Sequence, residues 1–281
     1  LQSGLRKEMS IVVADKSGVD YDNTNRIQTA LLPTQQVSCR DYVLDVAKGL
    51  VAGASVRTLA AYNPTVGTSY EPIWAQSGSA YPFLTAATTV TVSSSNAADT
   101  SAGAGAQTVT IQYLKSDYTL TTASYALNGQ TAVTVDTDCL RVNSVEVATW
   151  GGGGIQGANV GTIYVGYGTV TAGVPANILS SIVVGENKAQ QSIYTVPAGR
   201  TAAALGFRLY TTDEATINLK HHLVGAGGFI SDSIAIVNGD VTATQNVPAV
   251  YPEKTDLIVM AKSSAGTVAA SMVAELLITT N

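Results

Sequence analysis

The side chains able to do chemistry are few, and their spacing does not suit it. His221 and His222 are the only histidines. Neighbours in a strand point to opposite faces, so the pair cannot converge on one metal ion. His221 shares a face with Ile217, Leu219 and Leu223 and is expected in the core or at a subunit interface. His222 falls with Asn218 and Lys220 and is expected to face solvent. Neither stands near a GxSxG elbow, and no such elbow occurs, so no base is supplied to a serine or cysteine nucleophile. Gly151-Gly152-Gly153-Gly154 lacks the following Lys-Ser/Thr of a phosphate loop and reads as a flexible loop. Two carboxylates at a set separation would serve glycoside cleavage. Asp136 with Asp138, or Asp213 with Glu214, are the available pairs, and both read as exposed turn carboxylates. Asp99, Asp136, Asp138 and Asp240 stand near Gly- or Ser-rich loops and could offer oxygens to calcium, but no DxDxDG loop accompanies them. The expectation is a chain with no catalytic, cofactor-binding or metal-binding residues, and no enzyme.

Tyrosine is the abundant aromatic, at thirteen against three Phe and two Trp. It joins apolar area to a hydrogen-bonding tip, which suits partly wet interfaces. Tyr62, Tyr70, Trp74 and Tyr81 follow one another closely. They form a candidate docking patch for a neighbouring subunit or a platform for stacking sugar, with core or subunit packing as the plainer role. Cys39 and Cys139 are a hundred residues apart without a CxxC, so neither a disulfide framework nor a zinc site is indicated. A single bridge between them is open, and two buried free thiols are expected.

The elements that would hold these residues are strands. Val109, Ile111 and Tyr113 alternate with Thr108, Thr110 and Gln112. Ile163-Val165-Tyr167, Leu205-Phe207-Leu209 and Leu257-Val259-Ala261 repeat the period of two, and Met272 to Ile278 reads as a core strand. Turn chemistry separates the runs at 93–96, Asn128-Gly129, Pro197-Ala198-Gly199, Asn238-Gly239 and 263–266. The two Asn-Gly pairs suit tight hairpins because both residues tolerate positive φ. Val43, Val46, Ala47, Leu50 and Val51 have helical spacing over a stretch too short to displace a strand assignment. No tandem repeat of fixed period is evident, which disfavours a β-helix or propeller. The class is all-β: an extended N-terminal arm followed by β-sandwich or jelly-roll-like domains.

Charge divides the chain. Of the 281 residues only 12% are Asp, Glu, Lys or Arg, about half the usual share, which suits a surface meant to meet other protein. The first fifty residues carry a dense set of charges, whereas 56–106 carry only Arg57, Glu71 and Asp99. Residues 1–55 are therefore expected as an irregular assembly arm, 56–160 as a first sandwich-like domain and 161–281 as a second, jelly-roll-like one. The net charge of −5 disfavours a nucleic-acid partner. No apolar run of roughly 18 residues suggests a membrane-spanning helix. The start, Leu1-Gln2-Ser3-Gly4, has no signal-peptide layout and no Met, and reads as trimmed in maturation or incomplete.

One further pattern is a resemblance. Lys48-Gly49-Leu50-Val51-Ala52-Gly53 is followed by 62–68 (YNPTVGT), Glu71-Pro72-Ile73-Trp74, Val90 to Ser95, 99–106 (DTSAGAGA), Thr108 to Ile111 and 193–201 (IYTVPAGRT). In that order the segments resemble a widespread family of uncharacterised virion proteins of tailed, mostly aquatic, bacteriophages. The likeness covers about residues 40–210. It implies a particle component and brings no catalytic residues. The expected function is a capsid decoration or cement protein on the outer head, with the major capsid protein or other virion subunits as partners and a homo-oligomer, a trimer being one form. The alternative is a head or tail fibre protein that binds a receptor or surface glycan.

Overall fold

The computed structural model describes residues 42–76, 78–152, 157–223 and 227–281. By compactness the chain forms two units, Leu1–Leu50 and Val51–Asn281. Most of the expected arm, including Cys39, lies outside the described residues, as do 153–156 of the glycine-rich loop. In the first unit, Tyr42–Ala47 forms a short helix (α1) closed by Lys48 N–H on Leu44 O and Leu50 N–H on Asp45 O. The helical spacing there prevails over the strand assignment, since one turn needs only local hydrogen bonds.

The second unit is built from strands: β1 (Ala54–Val66), β2 (Glu71–Pro72), β3 (Thr88–Ser94), β4 (Ala106–Leu114), β5 (Leu120–Ala126), β6 (Val133–Cys139), β7 (Arg141–Trp150), β8 (Ile163–Thr171), β9 (Val174–Ile182), β10 (Ile193–Thr195), β11 (Arg200–Leu223), β12 (Ile230–Tyr251), β13 (Thr255–Ser263) and β14 (Val268–Thr280). All the pairings among the described residues are antiparallel, and the class is all-β as expected.

A four-stranded sheet, β6-β3-β8-β9, and a three-stranded sheet, β5-β4-β7, enclose one core. Val90, Val92, Val109, Ile111, Val145, Ile163, Val165 and Ile182 are fully buried in it. The alternation at 109–113 and 163–165 therefore does mark an inner face.

The third sheet makes a sandwich by folding over on itself. β11 pairs with β12 from Ala202↔Tyr251 to His221↔Ile230. Along its other edge β14 and then β13 follow one another, pairing with Arg200–Thr211 and Ala215–Leu223. A straight ladder of this length would hold its ends about 60 Å apart at ~3.3 Å per residue. Yet the rings of Tyr251 and His221, from opposite ends, lie 5.6 Å apart. The sheet must bend, and both long strands break register together where Thr211↔Gly239 gives way to Ala215↔Val237. Gly239 has φ +86°, a conformation a β-branched residue would resist. The Thr211 hydroxyl donates to Val237 O at 3.0 Å across the bend. Such breaks let a strand pass from one layer of a sandwich into the other. Layer one is β1, β14, the first half of β11 and the second half of β12. Layer two is β10, β2, β13 and the remaining halves. Ala202, Ala204, Leu209, Met272, Leu276 and Ile278 meet Ile217, Leu219, Leu257 and Val259 in the core between them.

This architecture corrects three expectations. Asn238-Gly239 is a bend inside β12, and Asn128-Gly129 sits in a turn that carries the chain between two sheets; neither makes a hairpin. The boundary at 160/161 does not separate two domains: β3 pairs with β8, and β1 pairs with β14. The segment 161–281, expected as jelly-roll-like, is instead dominated by two strands of 24 and 22 residues, because the turn-like dipeptide at 238–239 bends a strand without ending it.

Candidate functional site

The five residues singled out from the sequence do not gather. Trp74 and Tyr81 are 2% and 7% exposed, with their rings edge to face at 5.4 Å in the first core. They are packing residues, and no docking patch forms around them. Tyr62 stands exposed on the outer face of β1. Tyr70 is partly exposed between the ammonium groups of Lys220 and Lys262, 5.4 and 4.9 Å from its ring centre. His221 is half-buried: its Nδ1 lies 2.7 Å from Asp232 Oδ1, and the Tyr251 hydroxyl donates to Asp232 Oδ2 at 3.0 Å. This clasp joins the two layers of the folded sheet. His222 is not simply solvent-facing. It lies against Phe229, with Nδ1 3.6 Å from the buried Asp256.

The carboxylates considered for calcium or acid–base work serve the fold. Asp99 is fully buried and accepts from Ser94 Oγ (2.6 Å) and from the backbone N–H groups of Ala106 (2.8 Å), Val160 (2.9 Å) and Gly161 (2.7 Å). A Cβ at Gly105 would collide with that carboxylate, so glycine is required for the approach. With its oxygens so engaged, Asp99 pins three segments together and has no coordination to spare. Asp136 accepts from the Asp138 backbone N–H (3.0 Å) and the Tyr113 hydroxyl (2.7 Å), and these bonds hold its carboxyl below the usual range. Glu214 N–H donates to Asp213 in an exposed stretch. Among the described residues no three His, Cys, Asp or Glu side chains gather as a metal site. Cys139 is a buried free thiol, and burial pushes its pKa up to about 12.

The two cores share layer two of the folded sheet. β13 presents Leu257 and Val259 to one core and Ile258 and Met260 to the other. Between them runs a buried polar seam. Arg141 and Asp256 form a bidentate pair at 2.9 and 3.0 Å, and Thr195 Oγ1 donates to Asp256 at 2.6 Å. Desolvation alone would lower the Arg141 pKa, but its bonds to Asp256 raise it. Asn143 exchanges two hydrogen bonds with the backbone of Thr195, and Arg57 reaches Gln112 Oε1 and Asn143 O. The seam fixes one sandwich against the other.

An open site lies on the outer face of layer one. Tyr62, Ser271, Tyr210 and Asp240 form one row across four strands. Arg208 in the next row bonds Asp240 at 2.9 and 3.3 Å. Arg208, Tyr210, Asp240, Ser271 and Val273 line a groove of about 270 Å³, and Tyr62 stands next in the row, opposite Ser271. Two tyrosine rings flanking a serine, with an exposed ion pair alongside, can stack on an apolar ring face and exchange hydrogen bonds with hydroxyls. Apart from Tyr62 and Asp240, the sequence analysis missed this row. The alternation of Phe207 and Leu209 was the available signal, since it puts Arg208 and Tyr210 on the opposite face. Placing Asp240 beside them needed the strand register.

No protein-family model matches the chain, and no curated protein does. Solved structures aligned with it include infectious bursal disease virus Gt strain, at 11% identity over 86% of this chain and 78% of that one, with a TM-score of 0.18. The VP2 subviral particle of the same virus aligns at 15% identity over 91% and 77%, with a TM-score of 0.19. These scores are far below that of a shared fold, so the functional reading rests on the chain itself. No helix among the described residues is long and apolar enough to cross a membrane.

Proposed function

We propose that this chain is a non-enzymatic structural protein of a virus particle, a decoration or cement protein that binds and reinforces a phage head. The observation that carries the reading is how the polar groups are used. Buried Asp99, Glu71, Asp256 and Arg141 are each engaged by protein donors or acceptors that fix loops and sheets. The outer surface of the β-body is poor in charge and carries exposed Ile, Val and Tyr. A body held internally by its polar groups, with a surface that loses little hydration on contact, suits burial among subunits. The charge-rich first fifty residues would supply the grip on the major capsid protein. The resemblance at residues 40–210 points the same way.

Cryo-electron microscopy of purified particles tests this. Many copies on the outer shell, with the N-terminal segment on capsid subunits, are expected; absence of the chain from purified particles would sink the proposal. The Tyr62–Ser271–Tyr210 row favours a second reading, a fibre protein that holds a surface glycan. Its mark would be glycan-array binding that Tyr62→Ala/Tyr210→Ala abolishes without loss of thermal stability.

A further inference from the structure

We propose that the β12 side of the folded sheet is the surface on which a second copy of this chain docks, strand edge to strand edge. Among the described residues β12 pairs with β11 alone, and because the sheet folds over, it forms the edge of both layers. The opposite side is treated differently: there Arg57 and Thr195 are bonded to Gln112 and Asn143 of the first sandwich. On the β12 side Ile234 and Ile236 are 62% and 71% exposed, with Ile230, Val241 and Val250 also exposed.

Edge strands that must remain single are blunted by lysine, proline or bulges. β12 contains no lysine or arginine. Its two charges are engaged on the chain itself, Asp232 by His221 and Tyr251, Asp240 by Arg208. Pro248 lies beyond Thr244, in the register break that precedes Ala249. Between Ser233 and Ala243 the strand has no lysine, arginine or proline, and its one charge there, Asp240, is held by Arg208.

Size also fits a second copy. Each half of β12 runs about 36 Å at ~3.3 Å per residue, and two layers about 10 Å apart make a side wall roughly 20 Å deep. That is about 700 Å² per partner and ~1,400 Å² in all, within the range of about 1,200–2,000 Å² for stable interfaces. An antiparallel edge meeting its own copy closes about a two-fold axis, so both layers extend at once without leaving a growing end.

This inference goes beyond the particle role. Self-association is decided in solution and particle location on virions, so the two fail separately. The test is analytical ultracentrifugation of the full chain from about 1 to 100 μM, a span in which an interface of this size associates. The wild type is expected to sediment as an oligomer and Ile234→Lys/Ile236→Lys as a monomer with unchanged circular dichroism. A wild type that stays monomeric throughout, or an oligomer that survives in the folded lysine variant, overturns the proposal. Should the lysine variant not fold, Ile234→Thr/Ile236→Thr keeps the β-branched shape. A loss of association of at least about tenfold is expected for it, and an unchanged association overturns the proposal.

Discussion

The two sandwiches close their cores in opposite ways. In the first, seven short strands from two separate sheets are held at the loop end by a buried carboxylate, Asp99, that gathers N–H groups from distant segments. In the second, two strands of 24 and 22 residues bend over themselves, and the layers are continuous through covalent chain. A sandwich of separate sheets needs polar pins to fix its register. A folded ribbon has its layers joined by the bend itself and adds one clasp across them, His221 and Tyr251 on Asp232. The contrast teaches where this molecule places its few polar side chains: at joints within the chain, while Ile234 and Ile236 of β12 stay exposed.

Breaking the joint between the two sandwiches gives the largest expected effect. Asp256→Leu leaves Arg141 buried without its counter-charge and is expected to cost about 3–5 kcal/mol in denaturant unfolding, whereas Arg141→Met/Asp256→Leu together should recover most of it. If the single and double variants unfold alike, the ion pair does not fix the two sandwiches. Next comes the bend of the folded ribbon. Gly239→Val places a β-branched residue at positive φ and is expected to cost about 1–2 kcal/mol, read as a lower unfolding midpoint. A value near zero would show that the bend does not depend on this backbone conformation.

The smallest effect is a pH dependence in the first sandwich. The Asp138 N–H and the Tyr113 hydroxyl depress the pKa of Asp136 in the folded chain. A depressed carboxyl contributes stability above its unfolded pKa of about 3.9 and loses it as pH falls through the folded value. The stability gap between wild type and Asp136→Asn should therefore be present at neutral pH and narrow below about pH 4. A gap that stays constant on acidification would refute the assignment.

The strand faces were legible in the sequence, whereas the candidate site was legible only in part. Val109, Ile111 and Tyr113 are buried as their alternation required, and so are Met272, Ala274, Leu276 and Ile278. Tyr62 was named in a candidate docking patch, but Tyr210, Ser271 and Arg208 were not brought to it, because they meet only through the pairing of β1, β14 and β11. Trp74 and Tyr81 looked like candidates for a patch because composition alone does not say which aromatic a core will absorb.

By itself, then, the sequence determined the period of two, the inward faces and the concentration of charge in the first fifty residues. These follow from the local geometry of a pleated chain and from composition. Tertiary structure decided that Asn238-Gly239 bends a strand without ending it, that β13 is buried on both faces and that β12 has, among the described residues, no neighbour besides β11. Each of these depends on partners distant in sequence, and an alternating pattern specifies a face without naming what lies against it.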